Sequence, residues 1–163
     1  MTKTTKIMAA TQQYCTFHLG DQYFGLDVLR VQEIVRHQPL THVPLAHPMV
    51  RGLMNLRGQI VTAIDLRKRL DLPESKAVSE PVNVVLQTDD GAVSLLVDEI
   101  GDVLEVSEEH FERPPETLQG LTRDLIRGAY KLTDRLLVIL DPDLVVTVPL
   151  AEMNLNRKAT VVI

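Results

Sequence analysis

Regularly spaced histidines are the first residues in this chain that could do chemistry. His37, His42 and His47 recur every five residues, and imidazole is a common zinc ligand. A five-residue step does not align side chains on a helix, prolines interrupt the segment, and no cysteine or acidic residue stands among the three. We therefore interpret them as loop histidines and predict neither a metal site nor a cofactor.

Nucleophilic chemistry is not indicated either. The single cysteine, Cys15, lies in a predicted strand over residues 14–19, where a buried structural thiol is more common than a reactive one. The sequence contains no glycine-rich phosphate loop, no His-Glu-x-x-His motif and no Gly-x-Ser-x-Gly elbow. These observations predict that the protein is not an enzyme. One cysteine also excludes an internal disulfide, which fits a reducing cytoplasm.

The polar motif Asn55-Leu-Arg-Gly58 lies inside a repeated segment. Residues 52–65 recur 76 positions later as residues 128–141. Both copies begin with glycine, place a leucine four residues on, continue through an apolar run and end with aspartate. A repeated scaffold with one polar copy indicates that the scaffold is structural and that the difference between the copies is functional.

Arg57 is the residue of this motif that turn geometry does not explain. The second copy has Lys-Leu-Thr-Asp at 131–134, so the turn does not require asparagine, arginine or glycine there. A guanidinium offers a rigid fork of donors that suits carboxylate recognition, and Glu33 is a plausible partner on a neighbouring strand. We predict that Asn55, Arg57 and Gly58 contribute a functional polar contact.

Short strands separated by turns must position these residues. Alternating patterns predict the strands 14–19, 22–28, 59–64, 82–87, 92–97 and 135–140, with residues 29–36 continuing the second of them. A helical turn is predicted over 49–54, a short helix capped by Asp65 over 65–70, and a short apolar element over 144–148.

A second match between the halves extends the repeat. Residues 31–35 match residues 100–104 at an offset of 69, so the offset grows from 69 to 76 between the two matched blocks. We place the implied insertion of seven residues within 107–120. Two copies of about five short strands predict a mainly all-β fold of two paired small barrels, because closing a sheet removes its exposed edges.

Composition limits the possible partners. The formal charge of −5 argues against nucleic acid, and the basic run 67–69 is interpreted as the exposed face of the short helix. No stretch approaches the about 20 apolar residues that span a bilayer, so we predict no direct membrane insertion. The predicted organisation is a flexible N-terminal tail over 1–12, one domain over 13–150 whose halves meet near 72–82, and a C-terminal tail over 151–163.

Six segments of the chain resemble the CheW family of bacterial chemotaxis coupling proteins, in the family's order and spacing over about residues 14–148. The segments are Phe17-His-Leu-Gly-Asp21, Phe24-Gly-Leu-Asp-Val-Leu-Arg-Val-Gln-Glu-Ile34, Arg51-Gly-Leu-Met-Asn-Leu-Arg-Gly-Gln-Ile60, Ile64-Asp-Leu-Arg67, Leu96-Val-Asp-Glu-Ile-Gly-Asp-Val103 and Asp134-Arg-Leu-Leu-Val-Ile-Leu140.

The resemblance implies a cytoplasmic, non-catalytic adaptor recruited to membrane receptor arrays. Its fold would be two intertwined, SH3-like, five-stranded β-barrels with short helices and a hydrophobic groove between them. Its partners would be the cytoplasmic tip of methyl-accepting chemotaxis receptors and the regulatory domain of the histidine kinase CheA. By matching, the residues in or near the partner-binding segments are Val31, Glu33, Ile34, Asn55, Arg57, Gly58 and Val103.

Three alternatives remain at this point. The first is an adaptor of a parallel chemosensory pathway, such as surface or type IV pilus motility, with the same fold and a different partner. The second is a β-barrel enzyme or small-ligand-binding module, which would need a polar pocket with perturbed titratable groups. The third, an RNA-binding barrel, is disfavoured by the acidic charge and by few aromatic residues for base stacking.

Overall fold

The computed structural model describes residues 10–74, 80–114 and 121–147, and strands dominate them. The strands are β1 Thr11–Leu19, β2 Gln22–Asp27, β3 Val31–Val35, β4 Val50–Leu56, β5 Gln59–Asp65, β6 Val82–Thr88, β7 Gly91–Val97, β8 Glu99–Ser107, β9 Phe111–Glu112, β10 Ile126–Lys131 and β11 Leu136–Leu140. The helices are α1 Leu66–Arg69, α2 Leu121–Leu125 and α3 Pro142–Val145, and 3-10 turns cover Val28–Arg30 and Glu108–His110. None of the helices in this described part is long and apolar enough to cross a membrane.

Strands from the two halves of the sequence are exchanged between two sheets. The six-stranded sheet has the order β8-β1-β2-β11-β10-β9, and the five-stranded sheet has the order β3-β6-β7-β5-β4. Each sheet therefore combines an N-terminal hairpin of one half (β1–β2 or β6–β7) with the later strands of the other half. This arrangement confirms the predicted all-β fold and its intertwined halves.

The sequence offsets of 69 and 76 reproduce the strand register. In the six-stranded sheet, β2 and β11 run parallel and Phe24 pairs with Val138. In the five-stranded sheet, β7 and β5 run parallel and Val93 pairs with Thr62. Val93 lies 69 residues after Phe24, and Val138 lies 76 residues after Thr62. The two sheets are thus built on one register.

Three apolar clusters hold the fold together. The largest is shared between the sheets, and its fully buried members include Phe17, Leu26, Val84, Leu95 and Leu66. Each sheet also encloses a smaller cluster of its own. The cluster of the six-stranded sheet contains Tyr14, Tyr23, Tyr130, Leu137 and Ile139, and that of the five-stranded sheet contains Met54, Leu56, Val61, Val85 and Ala92.

The predicted helical turn over 49–54 is wrong. Val50–Leu56 is strand β4, antiparallel to β5, and its side chains alternate between buried and accessible with the two-residue period of a strand. Gly52 has a φ of 153° at a register shift in this pair, and a Cβ there would lie 2.6 Å from the carbonyl oxygen of Thr41. The glycine is required by that close approach of two backbones.

The segment predicted to be an insertion adds a strand. β9 Phe111–Glu112 pairs with β10, so one sheet has six strands where five were predicted. Residues 115–120 of that segment lie outside the described part of the chain, as do 75–79 of the predicted junction, residues 1–9 and residues 148–163. β1 begins at Thr11, inside the predicted N-terminal tail.

Aspartates that end the two repeated segments cap the helices that follow. Asp65 Oδ1 accepts a hydrogen bond from the Lys68 backbone N–H, which confirms the predicted cap of α1. Asp141 Oδ1 accepts from the N–H groups of Asp143 and Leu144, so the predicted apolar element after the last strand is the capped helix α3.

Candidate functional site

The motif Asn55-Leu-Arg-Gly58 forms a tight hairpin turn between β4 and β5. Leu56 pairs with Gln59, and the two loop residues between them, Arg57 and Gly58, have φ values of 52° and 85°. Two positive φ values are the signature of a two-residue hairpin turn whose twist matches that of the strands. The Asn55 side-chain oxygen accepts a hydrogen bond from the Gly58 N–H at 2.8 Å. At this turn the Arg57 side chain projects into solvent and is 70% exposed.

Glu33 is the ion-pair partner of Arg57, as predicted, but it does not lie on a neighbouring strand. A guanidinium nitrogen of Arg57 donates to the Glu33 carboxylate. Glu33 lies on β3 and Arg57 follows β4, which are the two opposite edges of the five-stranded sheet. The sheet must therefore curl until its edges approach one another. The ion pair spans this approach at the surface.

The second copy of the hairpin has no equivalent ion pair. The offsets map Glu33 onto Asp102 and Arg57 onto Thr133. Lys131 pairs with Leu136, so the loop has four residues, and it is closed by a hydrogen bond from the Leu132 N–H to the Arg135 carbonyl at 2.8 Å. The longer loop removes the positive φ values that the first copy needs. The polar difference between the copies therefore alters both turn type and charge.

Ile34 lies in a cleft where the two sheets meet. The cleft has a volume of about 600 Å³, and it is lined by the aliphatic residues Ile34, Val82 and Ile100 together with the charged residues Arg36, Glu80, Asp98 and Glu99. The Ile34 side chain is 42% exposed although it is aliphatic. A cleft that combines exposed aliphatic side chains with charged ones fits an amphipathic segment of another chain.

Val31 and Val103 are placed differently from Ile34. Val31 is partly buried and packs against the shared core. Val103 is 56% exposed on β8, an edge of the six-stranded sheet, and does not line the cleft. Val103 pairs with Cys15 across β8 and β1, and Ile34 pairs with Val84 across β3 and β6. Both residues of one pair are related to those of the other by the offset of 69, so Ile34 and Val103 are equivalent residues on edges of different sheets. The structure brings Glu33, Asn55, Arg57 and Gly58 together, and it holds Val103 apart from them.

Two exposed aliphatic residues were missed in the sequence. Ile60 is 62% exposed and Leu136 is 53% exposed, each at the start of the strand that follows a repeated hairpin turn. They are equivalent at the offset of 76. An aliphatic residue at the same repeat position, within two residues of the turn in both copies, was a signal that could have identified this pair.

The basic run 67–69 is not an exposed helix face as predicted. Arg67 is 16% exposed and forms an ion pair with Asp98, and its other guanidinium nitrogen donates to the Pro73 carbonyl at 2.8 Å. Arg69 donates to the carbonyl oxygens of Leu144 and Thr147, both at 2.8 Å. These two arginines join the halves of the chain, and only Lys68 of the three is exposed.

Burial shifts the pKa of two titratable groups that form no ion pair, Cys15 and Tyr14. Burial raises the pKa of the Cys15 thiol above its ordinary value. Burial and the neighbouring Tyr130 hydroxyl raise the pKa of Tyr14 well above that of a free tyrosine. Within the described ranges, no three His, Cys, Asp or Glu side chains are placed to hold a metal ion.

Comparisons with known proteins agree with this architecture. The family model of the CheW-like domain matches residues 13–149. The chain is 33% identical over 133 residues to the chemotaxis protein CheW of Treponema pallidum (strain Nichols), covering 79% of this chain and 78% of that one. It is 35% identical over 134 residues to the chemotaxis protein CheW of Bacillus subtilis (strain 168), covering 82% and 86%.

A solved structure supports the fold independently. The crystal structure of the scaffolding protein TtCheW from Thermoanaerobacter tengcongensis superposes with a TM-score of 0.77 at 24% identity, over 85% of this chain and 94% of that chain. The exchanged strands, the repeated register and the family match agree with one another. This chain therefore belongs to the CheW family.

Proposed function

We propose that this protein is a non-catalytic coupling adaptor that links methyl-accepting chemotaxis receptors to the histidine kinase CheA. The observation that carries the proposal is the cleft between the two sheets, where the exposed Ile34 side chain lies with Val82 and Ile100 among the charged residues Arg36, Glu80, Asp98 and Glu99. Glu33, the residue before Ile34 on β3, forms the ion pair with Arg57. An apolar groove with polar residues at its margin suits an amphipathic helix, whose apolar face fills the groove. The receptor's cytoplasmic tip is the helical partner that we assign to it.

The charged pair determines how the receptor helix is oriented. Charged residues at the margin of an interface contribute more to register and association rate than to affinity. Arg57, at 70% exposure, has donors left for a second carboxylate after pairing with Glu33. A receptor carboxylate can therefore share the guanidinium and align the helix along the cleft.

The kinase is assigned to the ends of the two repeated hairpins. Ile60 and Leu136 expose an aliphatic side chain at equivalent places of the two sheets, and exposed aliphatic residues at equivalent positions support two similar contacts. The family resemblance implies that the regulatory domain of CheA has the same fold, so it pairs with either end and adaptor and kinase alternate in a ring. In this role the adaptor acts in the cytoplasm, at membrane-bound receptor arrays.

Binding of a receptor cytoplasmic fragment to the Ile34→Asp variant tests the proposal. A carboxylate among the aliphatic side chains of the cleft should weaken receptor binding by about tenfold or more, which corresponds to about 1.4 kcal/mol. The matched control is Leu45→Asp, which changes a 60% exposed leucine in the proline-rich loop outside the cleft. Equal binding by both variants and the wild type would contradict the assignment of the cleft to the receptor.

A further inference from the structure

His18, Tyr23 and Arg135 form a compact cluster on the six-stranded sheet, beside the second repeated hairpin. The His18 and Tyr23 rings stack with centroids 4.6 Å apart at an angle of 27°. The Arg135 guanidinium carbon lies 3.9 Å from the Tyr23 ring centroid, in a cation–π contact. One guanidinium nitrogen, Nη1, lies 3.1 Å from His18 Nε2. Arg135 directly precedes Leu136, so this cluster sets the conformation of the chain beside an exposed aliphatic residue.

The contact with Arg135 fixes the protonation state of His18. A guanidinium can only donate hydrogen bonds, so His18 Nε2 must be the acceptor and the ring proton must be on Nδ1. Nδ1 is buried and has no hydrogen-bond partner in the described part of the chain. The ring is thus neutral when the contact with Arg135 is made.

Protonation of His18 would break this arrangement. A proton on Nε2 removes the acceptor and places two cations against each other. The other charged groups facing the cluster are Glu99, which pairs with His18 across β1 and β8, Asp98 next to it, and Asp134, whose carboxylate lies 3.9 Å from Arg135 Nε. Asp98 already accepts from Arg67 and from the Gly20 N–H. Glu99 is therefore the carboxylate residue directly opposite His18 in the β1–β8 pair.

We propose that His18 is a pH-responsive positioning residue, which holds Arg135 over the Tyr23 ring when neutral and releases it when protonated. The imidazolium then turns toward Glu99, and Arg135 loses both its acceptor and its fixed place over the Tyr23 ring. Histidine is the side chain that changes charge between pH 5 and 8 in most environments. The hairpin end that carries Leu136 therefore has one arrangement when His18 is neutral and another when His18 is protonated.

The five-stranded sheet provides an internal comparison. At the offsets of 69 and 76, His18, Tyr23 and Arg135 correspond to Gln87, Ala92 and Gln59. None of these three is ionisable in that pH range. The equivalent positions of the five-stranded sheet therefore lack this pH response, and glutamine is the residue that the repeat itself places at the position of His18.

Histidine ring spectroscopy on the full chain tests the proposal directly. With ¹⁵N-labelled histidine at about pH 8, His18 should be the Nδ1-protonated neutral tautomer, and on lowering the pH to about 5 the Tyr23 ring and Arg135 side-chain signals should change together with its protonation. His18→Gln keeps an acceptor that does not titrate, so the coupled changes should disappear. His110→Gln, at an exposed histidine on the same sheet's 3-10 turn, should leave them intact.

Two results would overturn the proposal. One is a neutral His18 protonated on Nε2, which is measured on the wild type and requires no variant. The other is an unchanged pH response of the Tyr23 and Arg135 signals in His18→Gln.

A binding experiment extends the test and rests on the proposed function. Affinity for a CheA regulatory-domain fragment should fall about two- to fivefold from about pH 8 to about pH 5.5 in the wild type, the size of an exposed cation–π contact, and should not fall in His18→Gln. An equal fall in both proteins counts against the role of His18. A fragment that binds at neither pH contradicts the kinase assignment. The tautomer of the His18 ring then still tests the proposed role of His18.

Discussion

Glu33 and Arg57 form an ion pair that joins the two opposite edges of the five-stranded sheet. Three hydrogen-bonded strands, β6, β7 and β5, separate β3 from β4 in this sheet. The Glu33 and Arg57 side chains nevertheless meet. The pair is therefore a contact across the curled sheet, and most of the Arg57 side chain still faces solvent. This combination of a fixed guanidinium and high exposure is what a docking residue requires.

Arg57→Ala should weaken partner binding and leave the fold intact. The free energy of unfolding should fall by no more than about 1 kcal/mol, because exposed ion pairs contribute little. Binding to receptor and kinase fragments, with a thermal melt of each variant, measures the two effects. Arg57→Lys is the matched control, since it keeps the charge and loses the fork. A large loss of thermal stability with normal binding would instead make Arg57 a structural residue.

Aspartate at Val31 and at Val103 should have different consequences. Val31 packs against the shared core, so Val31→Asp should lower stability as well as receptor binding. Val103 is 56% exposed, so Val103→Asp should leave the melting temperature unchanged. Receptor binding by Val103→Asp then tests whether this face takes part in docking. Normal receptor binding by Val103→Asp would exclude this face of β8 from the receptor contact and would agree with the assignment of the receptor to the Ile34 cleft.

Gly128→Ala should destabilise the protein by about 3 kcal/mol, in the upper range for overpacked sites. A Cβ there would lie 2.3 Å from the Glu112 carbonyl oxygen and 2.4 Å from the Phe111 ring, so β9 would have to move. Gly58→Ala is the control, because no atom lies within 4 Å of its Cβ and only the positive φ opposes it, at about 1 kcal/mol. Urea unfolding of both variants measures the difference, and equal losses would contradict the clash.

Arg67→Ala should lower the free energy of unfolding by about 2 kcal/mol. Arg67 and Asp98 are only 16% and 25% exposed, and the variant leaves the Asp98 carboxylate with the Gly20 N–H as its remaining donor. Lys68→Ala, at the exposed neighbour on the same helix, should change stability by less than about 0.5 kcal/mol. Urea denaturation distinguishes the two, and a neutral Arg67→Ala would show that the pair is not structural.

Cys15 should react with thiol reagents only when the protein unfolds. Its side chain is 2% exposed and burial raises the pKa of its thiol. The unfolded chain then ionises first as the pH rises, so stability should decrease above the ordinary thiol pKa of about 8.5. Labelling rates at increasing urea and unfolding curves from neutral to alkaline pH test both points. Cys15→Val should remove the thiol's share of the alkaline loss, and an unchanged loss would assign it to other groups.

The strand register was predictable because the same residue types recur at equivalent positions of the two repeated segments. Gly52 and Gly128 each occupy a bulged position that a side chain would block, and Asp65 and Asp141 each cap a helix. Such local requirements leave a trace in one sequence. The family resemblance then supplied the intertwined arrangement.

Other features were not predictable. The repeat shows which strands of the two halves are equivalent, but it does not determine which strands pair with one another. Glu33 was recognised as the partner of Arg57, but its place on the opposite edge depends on the curl of the whole sheet. β4 was mistaken for a helical turn because a short apolar run fits either period. Arg67 was read as exposed because its partner Asp98 lies 31 residues away in the sequence.

The exchange of strands between the sheets also governs how the chain can assemble. β1 lies between β2 and β8, and β2 pairs with β11, so the six-stranded sheet is incomplete until residues near 140 have left the ribosome. Neither half of the chain, expressed alone, contains all the strands of one sheet. Such long-range pairing makes folding slow and late, so the nascent adaptor exposes apolar strand edges for most of its synthesis.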